Sequence, residues 1–123
     1  MTESKKTVVI FEDNANICQL LKFFFLKRGF EPQTFEDGMD AAKHVREHSP
    51  VLIMMDMIMP GKDGVEACQE LRREGISTPI LMLTSKTFDA DRERALAAGA
   101  NGYLIKPFNP SSLEAAIKPL LAV

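Results

Sequence analysis

The chain has 123 residues, 46% of them hydrophobic and 26% charged, with a formal net charge of −2. That length reads as one domain over residues 1–123, long enough to bury roughly two-thirds of its unfolded surface. No apolar run approaches the ~20 residues of a membrane span, no signal-peptide core is present, and the acidic balance argues against a broad nucleic-acid footprint. A membrane partner and a direct nucleic-acid partner are therefore not expected. Cys18 and Cys68 form no CxxC and no metal-ligand spacing, and read as small apolar residues of a reduced, cytoplasmic protein.

Two periodicities alternate five times along the chain. Val8-Val9-Ile10-Phe11 predicts a buried strand, and Ile17, Leu20, Leu21 and Phe24 then recur at helical spacing until Gly29 stops the helix. Glu31-Pro32-Gln33-Thr34-Phe35 is polar and contains proline, which suits a strand at a sheet edge. Met39, Ala42 and Val45 mark a second helix, which must end before Ser49-Pro50 because the residue preceding proline disfavours helical dihedrals. Val51-Leu52-Ile53-Met54-Met55 is apolar throughout and predicts a central strand covered on both faces. Val65, Cys68 and Leu71 mark the third helix, Gly75 its stop, and Ile80 to Leu83 the fourth strand. From about Asp89 to Ala98 a helix is predicted in which Leu96 is the only large apolar residue, so it should be weakly anchored. Tyr103-Leu104-Ile105 follows as the fifth strand. Leu113, Ala116, Ile117, Leu120 and Leu121 form the stripe of the last helix, where Pro119 predicts a kink or an end near Lys118.

Five strand–helix pairs with short connections predict an α/β fold: a doubly wound, five-stranded parallel sheet with right-handed crossovers. With the polar second strand at an edge, the strand order becomes 2-1-3-4-5, the flavodoxin-like order. Strands one and three are then neighbours, and Glu12, Asp13 and Asp56 converge in the crevice at the switch point. Three carboxylates so close either share protons or hold a cation. Oxygen ligands without His or Cys point to a hard ion, Mg²⁺ before Zn²⁺. Thr84 after the fourth strand offers a hydroxyl, and Lys106 after the fifth a compact cation, which together suit the oxygens of a phosphoryl group. Asp56 is then the natural nucleophile for an acyl phosphate.

The motifs Phe11-Glu12-Asp13-Asn14, Met55-Asp56-Met57-Ile58-Met59-Pro60-Gly61-Lys62-Asp63-Gly64, Leu83-Thr84-Ser85 and Gly102-Tyr103-Leu104-Ile105-Lys106-Pro107-Phe108 resemble those of a response-regulator receiver domain, over essentially the whole chain. The resemblance implies a two-component switch in which Asp56 accepts a phosphoryl group from a sensor histidine kinase or a phosphotransfer protein. It implies Mg²⁺ held by Asp13, Asp56 and the backbone carbonyl of Met57, with Glu12 acting mostly through water. Thr84 and Tyr103 would be the switch pair, and the Lys106-Pro107 peptide would be cis. Output would pass to a downstream protein through the face of the fourth helix, fifth strand and fifth helix, with a phosphorylation-dependent homodimer as one form of it. Such a protein is not an enzyme on other substrates; it catalyses only its own phosphorylation and dephosphorylation. The start at Met1 and the short apolar tail lean toward a stand-alone regulator over a receiver within a longer chain.

Other readings fit the residues less well. An aspartyl-nucleophile phosphatase of the haloacid-dehalogenase type needs a second Asp two residues after the first, where this chain has Ile58. A flavin site needs a phosphate loop that Glu12-Asp13 would repel. A phosphorylation-independent interaction module with the receiver fold is the stronger rival. Asp13 or Asn14 should in addition cap the first helix. His44 and His48, four apart on a helix, lack a third ligand and read as surface residues. In the Phe23-Phe24-Phe25 triplet at least one ring should be exposed or at a contact. In receiver domains the residues two positions after the acceptor and after the threonine tune phosphoryl lifetime. Here these are Ile58 and Lys86, neither of which can orient an attacking water. The expected result is a lifetime longer than in fast-cycling chemotaxis-type receivers; loss of label within seconds in Mg²⁺ buffer would refute it.

Overall fold

A computed structural model describes residues 6–85 and 89–121; Lys86 lies outside them. Its elements alternate along the chain: β1 (Thr7–Phe11), α1 (Ala15–Lys27), β2 (Glu31–Phe35), α2 (Ala41–His48), β3 (Leu52–Asp56), α3 (Gly64–Arg73), β4 (Ile80–Thr84), α4 (Asp89–Ala97), β5 (Gly102–Ile105) and α5 (Pro110–Leu121). All strand pairs are parallel and the sheet order is β2-β1-β3-β4-β5, as expected from the polar edge strand.

Side chains alternate across each strand, so the sheet has two apolar faces. Val9, Phe11, Ile53, Met55, Ile80 and Met82 pack with α2, α3 and α4. Val8, Ile10, Leu52, Met54, Leu81 and Leu83 pack with α1 and α5. The strands β3 and β4 are buried at every position, which explains why their sequences show no alternation. Helix α1 starts where the Asn14 side chain accepts from Ile17 N at 3.0 Å, and α3 where Asp63 accepts from Glu66 N at 2.9 Å. Asn14, not Asp13, is thus the cap of α1, which leaves the Asp13 carboxylate uncommitted to that helix end.

Several expectations need revision. Met39 precedes α2 and is exposed, its thioether resting on Gly61 across the site's rim. The apolar period extended past the true helix start because Asp40 adopts φ 57°, in the left-handed region. Of the kink or end expected near Lys118, the end is not what occurs: helix α5 carries Pro119 within its last turn and runs to Leu121. A proline so close to the end displaces few helical hydrogen bonds. His44 and His48 are half-buried and not plain surface residues: His44 stacks on Phe35 with ring centroids 3.8 Å apart, and His48 lies 5.9 Å from the same ring. Leu96 is 44% exposed; what is buried here is Ala95 and, just past the helix, Ala98. The phenylalanine triplet divides as helical geometry demands, with Phe24 and Phe25 in the core and Phe23 exposed.

Gly64 is where the fold leaves no room for a side chain. A Cβ there would collide with the carbonyl oxygen of Asp56 and stand 2.9 Å from Met57 Cα. The close approach holds the chain that follows β3, through Gly64 N donating to Met57 O at 2.9 Å. Gly64→Ala is therefore expected to destabilise the protein by about 3 kcal/mol, at the upper end of overpacking costs, read as a lowered urea midpoint.

Candidate functional site

The C-terminal ends of β1, β3, β4 and β5 deliver Glu12, Asp56, Thr84 and Lys106 to one edge of the sheet. Register explains the convergence: Phe11 pairs with Met55, so Glu12 and Asp56 lie level, while Asp56 pairs with Leu83 and Thr84 with Ile105, so Thr84 and then Lys106 each stand one residue further along the same edge. Backbone bonds lock the ends together, Met57 N donating to Leu83 O at 2.8 Å and Lys106 N to Thr84 O at 2.7 Å. The Lys106-Pro107 peptide is cis, as expected.

Burial at this edge is unusual for charged groups. Glu12 is fully buried and Asp56 nearly so, while Asp13 is exposed. One oxygen from each of the three carboxylates lies within 4.8 Å of the others. Lys106 Nζ sits between two of them, 2.8 Å from Glu12 Oε1 and 3.1 Å from Asp56 Oδ2. Backbone amides also contribute: Asn14 N donates to Glu12 Oε2 at 3.0 Å and Ile58 N to Asp56 Oδ1 at 3.2 Å. Among the described residues Glu12 Oε1 accepts no hydrogen bond of good angle and faces Lys106 as an ion pair only.

The electrostatics follow. Burial is the largest influence on Glu12 and pushes its carboxyl up to about 7; Lys106 opposes that shift and Asp56 adds to it. For Lys106, burial pulls downward, but the ion pairs with Glu12 and Asp56 outweigh it and hold the ammonium above its usual range. Cys18 borders the site, half-buried, with Sγ donating to Glu12 O at 3.1 Å. Burial and the nearby Glu12 and Glu36 charges raise its thiol, so it is a poor nucleophile, in keeping with a packing role.

The described residues fit a hard divalent cation. The donors are all oxygen, they are mutually close, and the Asp13 carboxylate stands open to solvent beside the two buried ones. The Met57 carbonyl accepts from Gly64 N and keeps a second lone pair. Thr84 is buried at the end of β4. Tyr103 stands apart from the acidic cluster, on β5 in register with Met82, half-buried against the α2–α3–α4 side of the core. Because Thr84 follows Met82 by two positions, Thr84 and Tyr103 share that face of the sheet.

Sequence reasoning missed Arg72 and Asn101. The Arg72 guanidinium binds the carbonyls of Ile76, Thr78 and Gly99 and the Asn101 side chain. No local pattern marks an arginine on an exposed-looking helix end as a hub, because most of its partners are backbone carbonyls, those of Ile76 and Thr78 in the loop just after its own helix and that of Gly99 far along the chain.

A parallel 2-1-3-4-5 sheet with buried acids, a hydroxyl and a lysine at its C-terminal edge defines a phosphoryl-receiving signalling fold. The chain belongs to the response regulator receiver domain family, whose model matches residues 8–118. It is 35% identical over 116 residues to the alkaline phosphatase synthesis transcriptional regulatory protein PhoP of Bacillus subtilis, covering 94% of this chain and 48% of that protein. The chain spans about half the length of the curated relatives it matches. Among solved structures it resembles the Vibrio cholerae chemotaxis protein CheY4, with TM-score 0.89, 31% identity and coverage of 96% of this chain and 100% of that one. It also resembles the receiver domain of the sensor histidine kinase PA1611 from Pseudomonas aeruginosa, whose structure has a magnesium ion coordinated in the active-site cleft. There the TM-score is 0.86 and the identity 28%, covering 98% and 100% of the two chains. The chain is therefore a receiver domain of the two-component type, a signalling switch. No helix among the described residues is long and apolar enough to cross a membrane.

The raised Glu12 carboxyl makes a stability prediction for the metal-free protein. A folded-state value near 7 against 4.5 unfolded means that the folded state binds the proton more tightly. The stabilisation is complete below about pH 4.5 and is lost as pH rises through about 7. Urea melts without divalent metal should show this decline, and Glu12→Gln should flatten it over that window.

Proposed function

We propose that Asp56 is the phosphoryl acceptor, and that residues 1–123 act as one cytoplasmic receiver unit. The observation that carries this reading is the placement of the Asp56 carboxylate. It is buried at the end of β3, held by Ile58 N through Oδ1 and by Lys106 through Oδ2, beside two further carboxylates. The donor is a phosphohistidine on a sensor kinase or phosphotransfer protein. An Asp56 oxygen bonds to phosphorus as the P–N bond breaks, and the imidazole leaves with the electron pair.

Asp13, Asp56 and the Met57 carbonyl would hold Mg²⁺, with Glu12 acting mostly through water. The ion would supply positive charge against the phosphoryl oxygens. The chain's own residues do the rest. Lys106 neutralises an oxygen on the β5 side, and Thr84 offers a hydroxyl from β4. Buried Glu12 keeps Lys106 charged and aimed at Asp56. The protein turns over no other substrate: it catalyses the gain and loss of its own phosphoryl group.

Output leaves through the face of α4, β5 and α5, toward a downstream protein or a phosphorylation-dependent second copy. An open groove of about 770 Å³ supports this, lined by Arg92, Leu96, Tyr103 and Ile105 among others. Tyr103 belongs to both the groove and the core face that Thr84 shares, so the pair links acceptor to surface.

Two linked measurements test the assignment. With a Mg²⁺ Kd of ~1 mM, 10 mM Mg²⁺ should stabilise the fold by about 1.4 kcal/mol. Asp56→Asn should blunt that gain, raise the stability of the metal-free protein by relieving repulsion, and abolish labelling from a phosphorylated kinase. Undiminished Mg²⁺-dependent labelling of Asp56→Asn would overturn the assignment.

A further inference from the structure

Helix α4 is anchored at one end only. Among its described side chains none from Ala90 to Arg94 is buried, whereas Ala95 is fully buried and Ala98, just past the helix, nearly so. Burial stabilises in proportion to the apolar area covered, and a methyl group covers far less than a Leu side chain, so two alanines hold a helix weakly. Yet the chain leaving α4 is densely bonded. Arg72 Nε and Nη2 donate to Gly99 O at 3.0 and 2.8 Å, and Nη2 also donates to Asn101 Oδ1 at 2.8 Å. Its Nη1 donates to Ile76 O and Thr78 O at 2.8 and 2.9 Å. Every N–H of the guanidinium is thus used, joining the α3–β4 loop to the α4–β5 loop.

The joint is reinforced around this side chain. Asn101 Oδ1 also accepts from Ile80 N at 3.0 Å, Asn101 N donates to Ile80 O at 2.8 Å, and Cys68 Sγ donates to Ala98 O at 3.4 Å. Gly99 has φ 113°, and a Cβ there would stand 2.6 Å from Arg72 Cγ, so only glycine admits the arginine stem. These bonds run from α3 and β4 to the residues directly after α4; its first turn has none of comparable kind among the described residues.

We propose that Arg72 is the pivot of the switch. It fixes the C-terminal end of α4, so that phosphorylation moves the N-terminal half of that helix about the Ala98–Gly99 joint instead of displacing the helix as a whole. This rests on the reading of Asp56 as phosphoryl acceptor. Arg72 is a positioning residue: it touches neither the phosphoryl group nor the acidic cluster. A planar fork with all donors engaged resists translation in every in-plane direction, and the unpacked end is left to swing.

Amide hydrogen exchange on the full chain tests this, with Mg²⁺ and beryllofluoride as the probe for the phosphorylated state. In the unmodified protein, beryllofluoride should change exchange over residues 90–95 and leave residues 98–101 unchanged. Arg72→Lys, which keeps the charge and loses the fork, should speed exchange at residues 98–101 about tenfold, the scale of one lost charge-assisted hydrogen bond, without beryllofluoride and without speeding β1 or β3. It should also spread the beryllofluoride response across all of α4. Asn101→Ala, which removes one of the acceptors and leaves Arg72 in place, should give the same regional pattern at smaller amplitude, and serves if Arg72→Lys does not fold. Equal acceleration throughout the chain, no acceleration at 98–101, or a response of the unmodified protein that covers both ends of α4 would overturn the pivot alone. No response of the unmodified protein to beryllofluoride would overturn the phosphoacceptor reading and the pivot with it.

Discussion

The Lys106 ammonium, held between Glu12 Oε1 and Asp56 Oδ2, is the contact on which the rest of the site depends. Two carboxylates buried at a sheet edge would each meet a desolvation penalty of several kcal/mol, and their mutual repulsion would add to it. One cation at 2.8 and 3.1 Å offsets part of both costs. It can be there only because β5 ends level with β4, where Lys106 N bonds to Thr84 O, and because β1 and β3 are neighbours. The strand order is in this sense an electrostatic requirement as much as a packing result. Three carboxylates against one ammonium still leave an excess of negative charge, with Asp13 open to solvent. A divalent ion held by these carboxylates would remove that excess, and an incoming phosphoryl group would then meet a site that is no longer repulsive.

Much of this was legible in the chain because it depends on one-dimensional patterns. Apolar runs ending in Glu12 and Asp56 declare buried strands with acids at their ends, and Pro32 in a polar run declares the edge. Period alone then brings the acids, Thr84 and Lys106 to one side. The misreadings have a common physical origin: periodicity records which residues are apolar, not which neighbour is there to cover them. Met39 fits the period of α2 but precedes the left-handed Asp40 and lies on Gly61 instead. Leu96 is the obvious anchor of α4 by hydropathy, yet it lines the open groove beside β5 while Ala95 and Ala98 are buried. His44 and His48 carry polar atoms, but the ring of Phe35 on the edge strand offers them a face to lie against. Arg72 was invisible because its acceptors are carbonyls, which carry no sequence identity.

The two faces of the sheet differ in what they could transmit. On one side α1 and α5 bury Leu21, Phe24, Phe25, Leu113 and Ile117, and Arg28 stacks on Phe24 while pairing with Glu114 to join the two helices. Moving either would uncover large side chains. On the other side α3 is held by Val65, Cys68 and Leu71 and by the close approach of Gly64 to the acceptor strand, whereas α4 contributes only small groups. A change at Asp56 therefore meets stiffer neighbours in α1, α3 and α5 than in α4. The path is also continuous. Thr84 ends the strand beside Asp56, Tyr103 shares its face one strand further on, and α4 lies over that face. An element with few buried contacts at one end and a bonded joint at the other can be rearranged without any loss of the core, which is the condition a switch must meet. The weakness of α4 is then a requirement of signalling, and the strength of its C-terminal joint is what keeps that weakness from becoming local unfolding.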